Sequence, residues 1–411
     1  NKEEVEEHKK RRQGGGLASP TTALVVGLLA GMVAWGARTW RQGERPVVGA
    51  RDPSLFRGLH GLEESYDLVI VGAGLSGAVV AQQASSRLGL RSLVIDKREH
   101  IGGNCYDYID EHGIRISQYG VHIFHTKFPR VEKWVKQFSS WVPYTHRVLG
   151  QVNDTNEVPR TVPIPPNIDT VNALFGTNLE TEEDMVAWLD ARRPKLEGEP
   201  RNGEEMSISR VGTDLYEKIF KHYTKKQWDK WPSELDASVL ARLPFRTNRD
   251  SRYFNDPFQA LPKDGYTAMF EKVLLNNPDI TVRLGVDYFG VKEQLPKHKL
   301  LVFTGPIDAF YASQGLAKLE YRSIFWEKEY VEPEGGYFQP AWVVNYPGGD
   351  TAWTRISEYK HSPNQPASAR EGPGTVIYRE YSTDSGDPYY PVPNPRNQEL
   401  YAKYQVPRLH S

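Results

Sequence analysis

The chain has 411 residues, 39% of them hydrophobic and 25% charged, which exceeds one ordinary domain and suits a globular protein with two or three cores. Its 51 lysines and arginines against 52 aspartates and glutamates leave a formal net charge of −1, so no global positive field recruits nucleic acid and an anionic ligand must be met by local arginines. The single cysteine, Cys105, cannot form an intramolecular disulfide, which excludes a disulfide-stapled scaffold.

Residues 1–20 form a charged N-terminal segment in which Lys9, Lys10, Arg11 and Arg12 precede three glycines. From Thr21 to Ala37 no residue is charged, and Trp35, Arg38, Trp40 and Arg41 close the run. An apolar stretch with interfacial tryptophans and arginines reads as one transmembrane helix, residues 21–38, against a buried core helix or the apolar region of a signal peptide. Gly27 and Gly31 have the small-xxx-small spacing that packs membrane helices together. Residues 39–65, broken by Pro46 and Pro53, read as a linker.

The first folded element is Leu68-Val69-Ile70-Val71, a short apolar run suited to a buried parallel strand, and it runs directly into Gly72-Ala73-Gly74-Leu75-Ser76-Gly77. Gly72 permits a tight turn, Gly74 lets the backbone approach a pyrophosphate, and Gly77 lets the following helix pack on the strand with its amides toward the anion. Ser92-Leu93-Val94-Ile95 supplies a second strand, and Asp96 at its end is placed to accept ribose hydroxyls. Asp96 disfavours a 2′-phosphate, while Lys97 and Arg98 leave NADP open on charge alone. Gly102-Gly103-Asn104 then provides a second close-approach loop, like the one flavoproteins of the glutathione-reductase type set beside FAD. Strand and helix signals alternate to about Phe138. Asp169 to Leu243 carries helical periodicity, and from Leu300 to Tyr381 short β-rich runs (Leu301–Thr304, Ala341–Val344, Thr375–Tyr378) point to an antiparallel sheet.

Several stretches together resemble bacterial-type UDP-galactopyranose mutase. They include His100-Ile101-Gly102-Gly103-Asn104, Gly120-Val121-His122-Ile123-Phe124-His125-Thr126, Tyr223-Thr224-Lys225-Lys226-Gln227-Trp228, Arg252-Tyr253-Phe254, Thr354-Arg355-Ile356-Ser357-Glu358 and Pro388-Tyr389-Tyr390-Pro391. The resemblance covers about Tyr66 to Tyr404. It implies an α/β protein: an FAD-binding Rossmann-like domain (66–140 and 251–310) with an inserted helical subdomain (169–250) and an antiparallel β-sheet domain (141–168 and 311–390), preceded here by the membrane helix.

The resemblance also assigns roles. Arg242 and Arg355 correspond to the arginines that grip the pyrophosphate, for which a planar fork of donors suits better than lysine. Taken singly, either reads as a surface ion pair. Tyr223 and Trp228 correspond to the aromatics beside the uridine, Tyr253 and Tyr390 to tyrosines on the substrate phosphates with Tyr389 a near-register alternative, and His146 to a polar position near the sugar. Gly72, Gly74, Leu75, Ser76, Gly77, Asp96, Lys97, Gly103 and Asn104 would hold FAD, and the loop with His122 and His125 would lie against the flavin. Those two histidines have no further ligand cluster around them in sequence, so zinc is set aside. The implied chemistry interconverts UDP-galactopyranose and UDP-galactofuranose through a sugar adduct on N5 of reduced FAD.

After Tyr404 the family pattern of a further strand and helix is replaced by Gln405 to Ser411, so 391–411 reads as a truncated C-terminal segment. That leaves open an incomplete sequence, a wall supplied by another chain, or a degenerate paralogue serving as an accessory subunit of a membrane complex. An ordinary flavin oxidoreductase rests on the nucleotide fold alone.

Overall fold

The computed structural model describes residues 57–241 and 245–405. The expected membrane helix at 21–38, Arg242, and residues 406–411 lie outside the described residues. Among those described, no helix is long and apolar enough to cross a membrane. The chain divides into two compact units, and the elements used below belong to the unit Asp52–Tyr401.

Strand β1 (Ser65–Val71) and strand β2 (Ser92–Asp96) flank helix α1 (Leu75–Leu88) as a βαβ unit. The chain then leaves the sheet. It builds the hairpin of β3 (Asp107–Ile109) and β4 (Arg115–Ser117), then β5 (Phe124–Thr126), helix α2 (Pro129–Val135) and β6 (Trp141–Pro143), which join β9 (Phe258–Pro262) in a three-stranded sheet ordered β5-β9-β6. The parallel sheet is completed only by β10 (Ile280–Leu284) and β11 (Lys297–Phe303), giving the order β10-β2-β1-β11. Each pairing is parallel, with Val69 opposite Leu93 and Leu301, and Ile70 opposite Val94 and Val302. Val69, Ile70, Leu93, Val94 and Ile95 are fully buried because both faces of the sheet are covered, as an unbroken apolar run requires. On one face Ala78 and Ala81 of α1 pack against Ile70 and Val94; Val69, Leu93 and Ile95 meet Val286 on the other.

The second sheet corrects two expectations. Leu301–Phe303, which the β-rich pattern alone suggests for the antiparallel sheet although the resemblance sets 251–310 in the Rossmann-like domain, belongs to β11 in the parallel sheet. The larger sheet itself is mixed. It has seven strands ordered β16-β12-β15-β14-β13-β7-β8, where β7 is Val148–Asn153, β8 Pro159–Ile164, β12 Tyr321–Val331, β13 Val343–Asn345, β14 Arg355–Glu358, β15 Thr375–Thr383 and β16 Tyr390–Pro391. Its β7–β13 pair is parallel, with Val343 opposite Val148. Strands brought together from distant parts of the chain have no hairpin to impose opposite directions, so parallel pairing is free to occur.

Between β8 and β9 lie helices α3 (Ile168–Phe175), α4 (Glu182–Asp190), α5 (Gly203–Leu215), α6 (Lys221–Trp228) and α7 (Ala237–Leu240). Asn167, Thr181 and Asn202 cap the first three through their side chains, and Asp184 completes a capping box with Thr181. One π turn, Tyr216–Phe220, joins α5 to α6 and so sets the direction in which α6 presents its side chains.

Candidate functional site

The turn between β1 and α1 excludes a side chain at Gly72 and at Gly77. Gly72 has φ +110°, and a Cβ there would sit 2.2 Å from Thr304 Oγ1; a Cβ on Gly77 would sit 1.9 Å from the Gly72 carbonyl oxygen. Thr304 fastens the switch point between β1 and β11, its backbone N–H and its hydroxyl donating to the Val71 carbonyl at 2.9 and 2.8 Å. Asp96 draws the end of β2 onto the same turn: its Oδ2 accepts from the Ala73 N–H at 2.8 Å and its Oδ1 from the Arg98 N–H at 2.9 Å. Each oxygen keeps a lone pair for a ribose hydroxyl. Helix α1 starts at Gly74 with no side-chain cap and no acidic residue in its first turn, and Leu75 and Ser76 are exposed. Its first amides therefore remain available to an anion.

The second glycine loop lies directly on the first. Gly102 donates its N–H to the Ala73 carbonyl at 3.0 Å, and a Cβ on Gly103 would sit 2.9 Å from Gly74 Cα. Two backbone loops thus meet with no side chain between them, a cradle that fits the pyrophosphate of a dinucleotide. Asn104 Oδ1 accepts from Arg98 Nη1 at 2.9 Å, and the Arg98 guanidinium stacks 4.2 Å from the Tyr119 ring centroid. Asp387 pairs with both Arg98 (3.3 Å) and Lys97 (3.7 Å).

A second group of residues gathers on Arg355. Its Nε lies 2.8 Å from Glu380 Oε2, a cross-strand pair between β14 and β15 in which the Glu380 side chain is 2% exposed. Burial works against the charge of Arg355, but Glu380 outweighs it and the guanidinium stays firmly cationic. Its terminal amino groups make no hydrogen bond to a described residue, leaving a fork of donors for an anion. Tyr223 on α6 is within electrostatic reach of Arg355, Tyr253, Glu380 and Tyr390; burial pushes its phenol up to about 12, so it stays protonated and can donate. Trp228 meets Tyr390 edge to face at 6.4 Å. The two adjacent tyrosines divide: Tyr390 belongs to the Arg355 group, whereas Tyr389 packs on Trp326 at 5.2 Å and faces Arg98 and Asp387.

The histidines join this second group. His122 bonds through Nδ1 to the Gly120 carbonyl at 2.8 Å, and burial, then Arg355, lowers its pKa. His125 is exposed, held by Asp256 at 2.7 Å and stacked on Phe254 at 3.7 Å. Phe254 also stacks with His146, so His125 and His146 share one aromatic neighbour. His146 is 4% exposed, walled by Tyr144, Tyr253, Phe254 and Trp342, and its Nδ1 is buried without a partner. Burial, assisted by Arg355, lowers its pKa to about 4.

A pH dependence follows from His146. A histidine lowered from an unfolded value of 6.5 to about 4 binds its proton in the unfolded state first, so its contribution is present above pH 6.5 and is lost as pH falls toward 4. The loss is on the order of 3 kcal/mol. Urea unfolding at stepped pH should show the wild type losing more stability across that window than His146→Asn; parallel curves would refute it.

Two contributors escaped the sequence reading. Glu380 carries a signal: a carboxylate following the buried run Thr375–Tyr378. Asp387 carries none, because its partners are distant in sequence.

Residues 218–408 match the family model described as UDP-galactopyranose mutase, and residues 70–138 match that of an NAD(P)-binding Rossmann-like domain. The chain is 37% identical over 342 residues to a Klebsiella pneumoniae protein named "Probable UDP-galactopyranose mutase", covering 82% of this chain and 84% of that protein. It is 36% identical over 346 residues to the dTDP-fucopyranose mutase of Escherichia coli, covering 82% and 88%, and 30% identical over 379 residues to the UDP-galactopyranose mutase of Mycoplasma pneumoniae, covering 84% and 89%. Its fold is similar to a crystal structure of reduced UDP-galactopyranose mutase, with a TM-score of 0.59 at 17% identity over 80% of this chain and 76% of that one. Sequence identity at this level over most of both chains, on an α/β fold of the dinucleotide-binding kind, establishes that the chain belongs to the UDP-galactopyranose mutase family.

Proposed function

We propose that the protein is a flavin-dependent mutase that interconverts the pyranose and furanose forms of a nucleotide-diphosphate sugar, UDP-galactose in the first instance. The observation that carries this reading is the Arg355 group: a cationic fork whose donors are free of the described residues, with Tyr223 and Tyr390 beside it and Tyr253 next to Tyr223. A diphosphate satisfies such a constellation, and a substrate of an ordinary amine oxidase has no need of it. Tyr223 and Trp228 on α6 would frame the uridine, with Arg242 a second grip on the pyrophosphate. His146 would face the sugar.

Gly72, Gly74, Leu75, Ser76, Gly77, Asp96, Lys97, Gly103 and Asn104 would hold the FAD. Reduced flavin, when bound, supplies through N5 a nucleophile for the anomeric carbon of the sugar. The chain's own residues bind, orient and neutralise. Arg355 keeps the departing diphosphate close while its charge develops, and the tyrosine hydroxyls donate to the same oxygens. Clustering of these groups supports a working site over a degenerate accessory subunit. The family relationship supports a UDP-sugar as ligand and carries no support for membrane-complex partners.

The test is incubation of dithionite-reduced protein with UDP-galactofuranose, followed by chromatographic separation of the two ring forms. UDP-galactopyranose should accumulate, and its absence from protein with full flavin content would refute the proposal. Because one relative is a dTDP-fucopyranose mutase, the same assay with dTDP-fucofuranose identifies the preferred nucleotide sugar.

A further inference from the structure

Lys226 is a lysine whose ammonium is held by oxygens of one segment rather than by a carboxylate. Its Nζ donates to the carbonyl of Tyr346, to Thr351 Oγ1 at 3.2 Å and to the carbonyl of Trp353 at 2.9 Å. Three acceptors exhaust its three donors. The segment they come from, residues 346–353, connects β13 to β14 and runs directly into Arg355. Lys226 itself stands three residues after Tyr223 on α6, so the two side chains share a helix face.

Other contacts fasten the same bodies together. A Cβ on Gly349 would sit 3.1 Å from His222 Nδ1, so the absence of a side chain there lets the segment lie against α6. At the far end of the helix the Gln227 carbonyl accepts from Ser382 Oγ at 2.6 Å, which ties α6 to β15 and hence to the strand of Glu380. The helix bearing Tyr223 and Trp228, the strand bearing Arg355 and the strand bearing Glu380 are therefore joined by hydrogen bonds as well as by packing. Among these links Lys226 alone is charged. A charge-assisted donor to three oxygens is a stronger fastening than the neutral Ser382 bond.

We infer that Lys226 is a positioning residue of the diphosphate site: its ammonium clamps residues 346–353 onto α6 and so fixes Arg355 at the distance from Tyr223 that a diphosphate requires. The inference rests on the proposed nucleotide-sugar function. Burial lowers the Lys226 pKa to about 8, against the opposing field of Asp350 on the clamped segment, so at neutral pH the ammonium still carries its charge. The arrangement differs from an ordinary surface lysine, which pairs with a carboxylate and contributes little. Among the described residues its hydrogen bonds go only to residues 346–353, so its effect must pass through Arg355 and Tyr223.

The experiment titrates UDP into the purified protein by calorimetry and measures flavin content and melting temperature alongside. For Lys226→Met the UDP Kd should rise roughly ten-fold, as loss of a charged clamp implies, with flavin content retained. Lys226→Arg should restore much of the affinity, because a guanidinium still donates to carbonyl oxygens, and Thr351→Val should give a smaller rise in Kd. An unchanged Kd in Lys226→Met overturns the inference. So does a fall in flavin content parallel to the loss of UDP affinity, which marks a general structural role. If Lys226→Met does not fold, Thr351→Val decides, and an unaltered Kd there also overturns it. Failure of the wild type itself to bind UDP would instead refute the nucleotide-sugar reading.

Discussion

Arg355→Ala is expected to abolish measurable turnover and to weaken UDP binding by roughly 100-fold or more, since a cationic fork on a diphosphate contributes several strong hydrogen bonds at once. The same change strands Glu380. Its carboxylate is 2% exposed, and among the described residues it accepts, apart from Arg355, only the Ser357 hydroxyl at 3.3 Å. Removing one partner of a buried ion pair costs about 3 kcal/mol because the other charge remains without compensation. Loss of activity in Arg355→Ala could therefore be loss of fold, and two further variants separate the causes. Arg355→Lys keeps the positive charge beside Glu380, so its stability should stay within about 1 kcal/mol of wild type, while the lost planar fork still lowers UDP affinity by roughly ten-fold. The double variant Arg355→Met with Glu380→Gln removes both charges and should recover most of the stability with no recovery of binding. Urea unfolding together with UDP titration measures both quantities. Wild-type UDP affinity in Arg355→Lys would remove Arg355 from the site.

The two halves of the site differ in how plainly the sequence displays them, and the reason is contact range. The βαβ unit is local: Gly72, Gly74, Gly77 and Asp96 lie within one short stretch, and Gly72 and Gly77 are demanded by Thr304 at the end of the neighbouring strand and by the Gly72 carbonyl. A reader of the chain alone can derive that geometry. The strands that complete the sheet are not local. Ile280–Leu284 pairs with Ser92–Asp96 across most of the domain, and its alternation of buried and half-buried residues is too short to announce a partner. The same holds for Leu301–Phe303, whose apolar run suits either sheet until β1 is known to be its neighbour.

The residues of the proposed substrate site are legible only through resemblance to a family. Tyr223, Tyr253, Arg355 and Tyr390 have no periodic or spacing signal in common, and singly each reads as a half-buried aromatic or an ion pair. Folding makes them a site by bringing α6, β14, β16 and the loop before β9 to one place. Even then neighbouring positions part company, as Tyr389 and Tyr390 do, because successive residues of an extended segment point to opposite sides. Glu380 illustrates the complementary case. Register fixes it opposite Arg355, and register between β14 and β15 is a property of the sheet that neither strand encodes alone.

Gly77→Ala is expected to have the other large effect, on cofactor and fold together. The added methyl would lie 1.9 Å from the Gly72 carbonyl oxygen and 3.2 Å from Ile70 Cγ2. Its nearest obstacle is backbone, so no rotamer change relieves the clash, and either α1 moves off β1 or the Gly72 turn opens. Moving α1 disturbs the contacts of Ala78 and Ala81 with the sheet, at about 3 kcal/mol for overpacking of a tight interface. Opening the turn displaces Gly74 from Gly103 and spoils the cradle of backbone amides. By either route flavin content should fall to a small fraction of wild type. Gly89→Ala provides the control. Gly89 caps the other end of the same helix with φ +65° and has nothing within 4 Å of an added Cβ, so the substitution carries backbone strain alone, about 1 kcal/mol. Its flavin content should match wild type. Absorbance of the purified proteins gives occupancy, and chemical denaturation gives stability. Equal flavin content in Gly77→Ala and Gly89→Ala would show that the cofactor is held somewhere other than the β1–α1 turn.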